Sequence, residues 1–550
     1  MPASPRLSGA PLRRLAQFAR TSVGGVALQR ILRAELRIDA LAGLPESARG
    51  DVPLDMRPVA GRAPRGGSGE ELPAPPRPWS ETTSSYVERY REGSLTPRQA
   101  VEKALEEARR LARLSPSVGP LCDYADAGAL EAADRATERW KQGKPIGPLD
   151  GVPYAVKEQT AVKGMPRRGG TAFLDPSPQP EDATCVSRLW EAGAIVIGMT
   201  PMTEFGMTPN GANSKRAMPR NPHATDHIAG GSSTGSGVAV ATGLVPFAIG
   251  ADGGGSIRIP SALNGVFGIK PTWGRVSRYG DISTGSVAHV GPLAGSVLDL
   301  ARSLELMSGH DPRDTQTWLA PPREAGSFVR GVGRGVRGMV IGVEEGEWAA
   351  ASEPVQRAGR EALAALEREG AKLVPVTLDL ARHAPAIGYV TIACEARAAL
   401  RASWREHWQE MGDDLVVSFS SLDAFGAVEY LETQRLRAGL RRELARAFER
   451  IDLLAMPSVV APAAAVSERD MSTGFLDTTV IDGLCRFAFL CNLTGLPALS
   501  APVGCDIFGL PLGLQLIGDA WDEATVFAAA AHLERIGAAS ARRPRVTARD

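Results

Sequence analysis

Apolar and polar positions divide the chain into short buried strands and amphipathic helices. VAVATGLVPFAI (238–249) is apolar nearly throughout, with room for one short helix and one short buried strand. VEKALEEARRLARL repeats its apolar residues at helical spacing, with Thr96 at the N-cap and Pro97 at the first helical position, where a missing N–H costs little. A strand is predicted through Lys157, a helix over about 182–191 and a buried strand over 194–198. Further on come a strand at 339–343, a helix at 353–369, a strand at 372–378 and a helix-rich stretch from about 388 to 450. Strands at 453–456, 498–503 and 514–517 follow, with a closing helix from Asp522. Such alternation predicts an α/β fold, a large sheet covered by helices on both faces.

Residues 1–41 differ in kind. Leu12, Leu15, Phe18, Val26, Ile31, Leu32 and Leu36 recur near helical spacing, interleaved with Arg13, Arg14, Arg20, Arg30, Arg33 and Arg37. The arginines interrupt the apolar run that a secretory peptide needs. Two short basic amphipathic helices hinged at Gly24-Gly25 are predicted, either packed on the body or lying at a membrane surface beside a substrate entrance. Residues 42–80, rich in Pro and Gly and ending PAPPRPWS, read as an extended linker, and a single body over 81–540 follows.

The 550 residues are 43% hydrophobic and 23% charged with no net charge, which gives nucleic acid no bulk attraction. The six cysteines lack C-x-x-C spacing, so neither a disulfide framework nor a zinc site is predicted, and a reducing cytosol fits. No apolar run is long enough for a transmembrane helix.

Candidate chemistry concentrates in three small-residue clusters: Gly230-Gly231-Ser232-Ser233, Gly235-Ser236-Gly237 and Gly253-Gly254-Gly255-Ser256. Glycine lets backbone N–H groups approach a ligand closely. Ser256 opens SIRIPSALNG, which reads as a helix start with Pro260 in its first turn, so free N–H groups and the positive dipole end would surround it. This is the layout of an acyl-transfer site. Two other motifs compete. Residues 231–235 fit G-x-S-x-G, which would make Ser233 a nucleophile, but the preceding NPHATDHIAG is polar and broken by proline where a buried strand is required. Residues 333–338 fit G-x-G-x-x-G, but precede a strand instead of following one, and read as a loop. Acyl transfer also needs a base near neutral pH. None of the seven histidines lies in these blocks, and His223 and His227 sit in a polar loop as structural residues. Lys157, in the apolar VPYAVKE, can serve only if burial keeps it neutral.

These blocks resemble the amidase signature family. Its pattern G-G-S-S-x-G-S, then G-x-D-x-G-G-S-(I/V)-R-x-P and G-x-K-P-T, is met over 230–272. The resemblance continues in GVPYAVKE (151–158), NLTGLPA (492–498) and GLPLGLQ (509–515), spanning roughly 80–540. Lys157 precedes Ser232 by 75 residues and Ser232 precedes Ser256 by 24, the family's spacing. The resemblance implies a mixed sheet in one domain and a Ser–cis-Ser–Lys triad, with Lys157 as base, Ser232 as relay beside a cis peptide and Ser256 as the nucleophile that forms an acyl-enzyme. It places the oxyanion between the N–H groups of Gly253, Gly254, Gly255 and Ser256, has Ser233 support Ser232 by hydrogen bonding, and makes Asp252 and Arg258 an ion pair beneath the loop. No cofactor or metal is implied. The D-G-G-G-S form and the N-terminal extension resemble plant-type fatty acid amide hydrolases, which implies N-acylethanolamines and related apolar amides as substrates and an extension near the entrance. The expected partner is a small-molecule amide and the expected location cytoplasmic. Peripheral membrane contact through residues 1–40 and a homodimer are left open. The alternatives are an amidotransferase A-type subunit supplying ammonia for tRNA-dependent transamidation, or an amidase for short or aryl amides. A dead scaffold would be expected to lose Lys157, Ser232 or Ser256, and all three are present.

Overall fold

The computed structural model describes residues 6–50, 55–63, 75, 79–283, 285–420, 422 and 425–548. Its strands begin with β1 (Leu7–Ser8), β2 (Asp123–Tyr124), β3 (Pro153–Lys157), β4 (Ile195–Thr200), β5 (Phe247–Asp252), β6 (Phe267–Lys270) and β7 (His289–Ala294). β8 (Val340–Val343), β9 (Lys372–Pro375), β10 (Leu453–Pro457), β11 (Phe475–Leu476), β12 (Ala498–Cys505) and β13 (Pro511–Gly518) follow. Eleven of them form one mixed sheet in the order β2-β4-β3-β5-β7-β6-β12-β13-β10-β8-β9, while β1 pairs with β11. β3 runs parallel to both β4 and β5, and β8 parallel to both β9 and β10; the remaining pairs are antiparallel.

Every residue of β3, β5, β6, β7 and β13 is buried, the pattern of strands covered on both faces. Alternate side chains feed two cores. Tyr154 and Val156 of β3 join one core with helices Val297–Met307, Glu353–Arg368 and Glu523–Arg535, whereas Ala155 joins another with helices Pro97–Ala112, Asp126–Lys141 and Thr234–Ala241. The predicted α/β sandwich of helices on a large mixed sheet is what forms. Helix Pro97–Ala112 starts as expected, with Thr96 accepting from the Gln99 N–H and the Gln99 side chain returning the bond to Thr96 N–H.

The N-terminal hinge is not at Gly24-Gly25. Helices Ala10–Ala19 and Ser22–Glu35 meet at Arg20-Thr21, and both glycines lie inside the second helix. Thr21 caps that helix by accepting from the Gly24 N–H at 3.0 Å. A Cβ on Gly24 would sit 1.8 Å from the Phe18 carbonyl oxygen, so glycine here permits a close helix–helix turn. The inner face of the pair is packed: Leu12, Ala16, Ala19 and Leu28 join Trp404, Leu415, Val416 and Phe419 in one cluster. Leu7 pairs with Leu476, and Arg6 forms ion pairs with Asp470 and Asp477.

Of the expected linker, residues 42–50, 55–63, 75 and 79–80 are described, and Glu46–Ala48 form a 3₁₀ turn. Residues 55–63 cross the body, where the N–H groups of Gly61 and Arg62 donate to the Asp519 carboxylate at 3.0 and 2.7 Å. Residues 1–5 of the N-terminal segment and 51–54, 64–74 and 76–78 of the linker lie outside the described residues. The chain stays on the body past the expected boundary at 540: the N–H groups of Arg542 and Ala548 donate to the carbonyls of Gly265 and Thr242 at 3.0 and 2.8 Å.

Candidate functional site

β3 and β5 are parallel neighbours, with Ala155 beside Ala248 and Val156 beside Ile249, so both deliver their carboxyl ends to one edge of the sheet. Lys157 ends β3 and Asp252 ends β5. Ser232 reaches this edge from the glycine-rich loop ahead of helix Thr234–Ala241, through a cis Gly231–Ser232 peptide. Lys157 Nζ lies 2.7 Å from Ser232 Oγ and 3.4 Å from the Ala251 carbonyl oxygen. Lys157 is 1% exposed, Ser232 2%, and Ser256 only half-buried, so accessibility increases along the series. Burial pushes Lys157 from 10.5 down to about 7, against the upward pull of the Asp281, Asp252 and Glu158 charges.

The Ser256 turn is fastened from below by Asp252. The carboxylate accepts from the Gly255 N–H at 2.7 Å, from the Ile257 N–H at 3.2 Å and from Arg258 Nε at 3.0 Å. The predicted Asp252–Arg258 ion pair therefore forms, and the guanidinium completes its five donations to Asp252, Asn492 Oδ1, Gln515 Oε1 and the Ala488 carbonyl. Burial alone would raise Asp252; the Arg258 charge and hydrogen bonds, with help from Asn492, outweigh it and hold the group ionised. Helix Arg258–Asn264 follows, with Pro260 inside its first turn as expected.

Two expectations need correction. The Gly255 N–H points at Asp252, so it is committed to shaping the turn; the N–H groups of Gly253, Gly254 and Ser256 carry no partner among the described residues. Ser233 does not bond Ser232. Its hydroxyl sits between the Ala251 carbonyl and N–H at 3.2 and 3.3 Å, and its own N–H donates to the Ser256 carbonyl at 3.2 Å. Ser233 thus joins the two serine-bearing segments through main chain. The Ser256 hydroxyl makes no hydrogen bond among the described residues, so the structure brings Lys157 to Ser232 but shows no hydroxyl–hydroxyl bond from Ser232 to Ser256.

The glycines also admit the walls. A Cβ on Gly254 would lie 2.7 Å from the Phe489 ring and one on Gly253 3.3 Å from Ile392 Cδ1, so helices Ala384–Ala399 and Phe489–Thr494 close against the turn. His223 and His227 stay outside. His223 is buried against the Asn264 carbonyl and pushed down to about 4 by burial, and His227 pairs with Asp226. Sequence reasoning gave no role to Asn492 and Gln515, although both fall within its motifs; both clamp Arg258. It also gave no role to Lys270, the lysine of the G-x-K-P-T block, which is buried and pushed down to about 7 by burial and then by the Arg258 charge. Cys122, Asp123 and Glu158 cluster closely enough to hold a metal, but Arg168 and Arg216 already occupy the two carboxylates at 2.5 and 2.8 Å. No helix among the described residues is long and apolar enough to cross a membrane.

Comparison with known proteins agrees with this geometry. The family described as Amidase matches residues 102–527. The A-type subunit of glutamyl-tRNA(Gln) amidotransferase from Chloroflexus aurantiacus is 34% identical over 481 residues, covering 82% of this chain and 96% of its own. The fatty acid amide hydrolase of Oryza sativa subsp. indica is 32% identical over 466 residues, covering 84% and 76%. The structure of peptide amidase from Stenotrophomonas maltophilia superposes with a TM-score of 0.72 at 27% identity, covering 86% of this chain and all of that one. With the family match running through the lysine strand, both serine loops and the Arg258 clamp, this chain belongs to the amidase signature family of enzymes that act on amide C–N bonds.

Proposed function

We propose that the protein hydrolyses apolar N-acyl amides through an acyl-enzyme on Ser256, with Lys157 as base and Ser232 as proton relay. The observation that carries this reading is the 2.7 Å contact between a buried lysine able to be neutral near pH 7 and the hydroxyl of Ser232. One Nζ hydrogen is engaged by the Ala251 carbonyl, which leaves the amine lone pair for the Ser232 proton. As Ser232 gives its proton to Lys157 it takes the proton of Ser256, whose oxygen attacks the amide carbonyl. The oxyanion that develops is met by the N–H groups of Gly253, Gly254 and Ser256, held in place by the Gly255–Asp252 bond. The relay then returns a proton to the departing amine, and water taking the same route releases the carboxylic acid.

An apolar acyl group is supported by Phe489 and Ile392 beside the turn and by the rice fatty acid amide hydrolase among the relatives. The outer face of the N-terminal helices adds to it. Phe18, Val23, Val26 and Ile31 of these helices are exposed, as are Arg14 and Arg30, a composition suited to an anionic lipid surface where such substrates partition. The second reading, an amidotransferase A-type subunit, is favoured by the amidotransferase relatives at 34% identity. Assaying N-acylethanolamines, primary fatty amides, aryl amides, short amides and glutamine separates the two. The proposal expects kcat/KM to rise with acyl length; hydrolysis of glutamine with no turnover of long acyl amides would support the second reading instead.

A further inference from the structure

We propose that Asp281 is a positioning residue for the lysine: it docks residues 280–283 on the turn leaving β3 and presents its negative charge to Lys157. The inference rests on the assignment of Lys157 as base.

The turn is tight, with the Thr160 N–H donating to the Lys157 carbonyl at 2.9 Å. Asp281 then grips the two residues that complete it, accepting from Gln159 Nε2 at 2.8 Å and from Thr160 Oγ1 at 2.6 Å. Main-chain bonds from Ile282 to the Gln159 carbonyl and from Ala161 to the Gly280 carbonyl, at 3.1 and 2.8 Å, complete the dock. Gln159 and Thr160 are buried, so the grip reaches the strand end that aims the Lys157 side chain.

Three carboxylates act on Lys157, and Asp281 acts most strongly, ahead of Asp252 and Glu158. The other two are neutralised on contact: Asp252 by Arg258, with Lys270 and Asn492 nearby, and Glu158 by Arg216, with Asp123 and Arg168 nearby. Among the described residues Asp281 accepts hydrogen bonds from neutral donors, namely Gln159, Thr160 and the N–H and hydroxyl of Ser283. Cys185, whose thiol burial pushes up to about 12, also feels it, as does Arg278, whose guanidinium donates to the Gly285 carbonyl and Gln316, and the Arg167 guanidinium donates to the neighbouring Gly280 carbonyl at 2.9 Å. A nearby negative charge favours the protonated lysine, so Asp281 opposes burial and keeps the amine basic enough to take the relay's proton.

The test is the rate of Ser256 phosphonylation by a fluorophosphonate between pH 5 and 9, on the full-length enzyme. Without the Asp281 charge Lys157 loses its proton more easily, so in Asp281→Asn the acid limb moves to lower pH by about half a unit or more and the plateau falls. Asp281→Glu returns the limb toward the wild-type position. If Asp281→Asn does not fold, judged by thermal melting, Asp281→Ser is read in its place. A limb that stays at the wild-type pH in the folded neutral variant overturns the inference and leaves Asp281 a mere tether. Lys157→Ala is the separate control: if it retains the wild-type limb, the base is another group and the assignment beneath the inference fails as well.

Discussion

Lys157 can take a proton only when it has none, and burial on a fully covered strand brings its titration down to about 7. The protonated amine prevails below that pH and the neutral amine above it, so kcat/KM for a neutral amide is expected to fall as pH drops through about 7 and to level off above. Lys157→Ala is expected to lower kcat/KM by about 10²- to 10⁴-fold, the usual contribution of one general base, with a residual rate that climbs toward high pH as hydroxide substitutes. A variant near wild type between pH 7 and 8 would contradict this. The approach of Lys157 to Ser232 and the Asp252–Arg258 pair were legible in the sequence because these residues sit at fixed spacing in dense motifs. The bonds of Gly255 and Ser233 were not. Gly255 adopts φ 116°, a region open to glycine, and the direction its N–H takes is set by that turn and by the carboxylate beneath it.

At the scale of elements, Arg258 is the rivet. It ties the end of β5 to helix Phe489–Thr494 and to Gln515 of β13, so one side chain fixes the turn that carries Ser256. Arg258→Met leaves the Asp252 carboxylate buried without its charge partner and is expected to cost about 3–5 kcal/mol, read from urea denaturation of the folded variant. Thr96→Ala, which removes a half-buried cap, is expected to cost only about 1 kcal/mol in the same assay and to leave the chemistry alone. A comparable loss for the two would deny Arg258 its special place. Elements with a cap or a clean period were legible: Pro97–Ala112 starts where Thr96 predicts, and Val340–Val343 and Leu453–Pro457 fall where the apolar runs lie. The N-terminal hinge was misplaced because a Gly-Gly pair reads as a break. Contact between Phe18 and Gly24 across the turn is a tertiary fact, which the local sequence does not carry.

For the whole molecule, strand–helix alternation announced a large covered sheet, but the order β2-β4-β3-β5-β7-β6-β12-β13-β10-β8-β9 depends on long-range pairing that periodicity does not encode. The N-terminal pair shows the same limit: its apolar spacing was visible, yet which residues face inward was settled by the body it packs on. Leu12 and Leu28 are buried, while Phe18, Val23, Val26 and Ile31 stay exposed. Replacing Phe18, Val23 and Val26 together by Glu is expected to abolish co-sedimentation with phosphatidylserine vesicles while leaving kcat/KM for a short soluble amide unchanged. Undiminished vesicle binding would remove the lipid surface from the proposal. The central claim concerns which atom becomes acylated, and it is tested most directly by peptide mapping of the fluorophosphonate-treated enzyme by mass spectrometry. The account predicts a single adduct on Ser256, absent from Ser256→Ala and slowed in Lys157→Ala; an adduct on Ser233, or labelling that persists in Ser256→Ala, would contradict it.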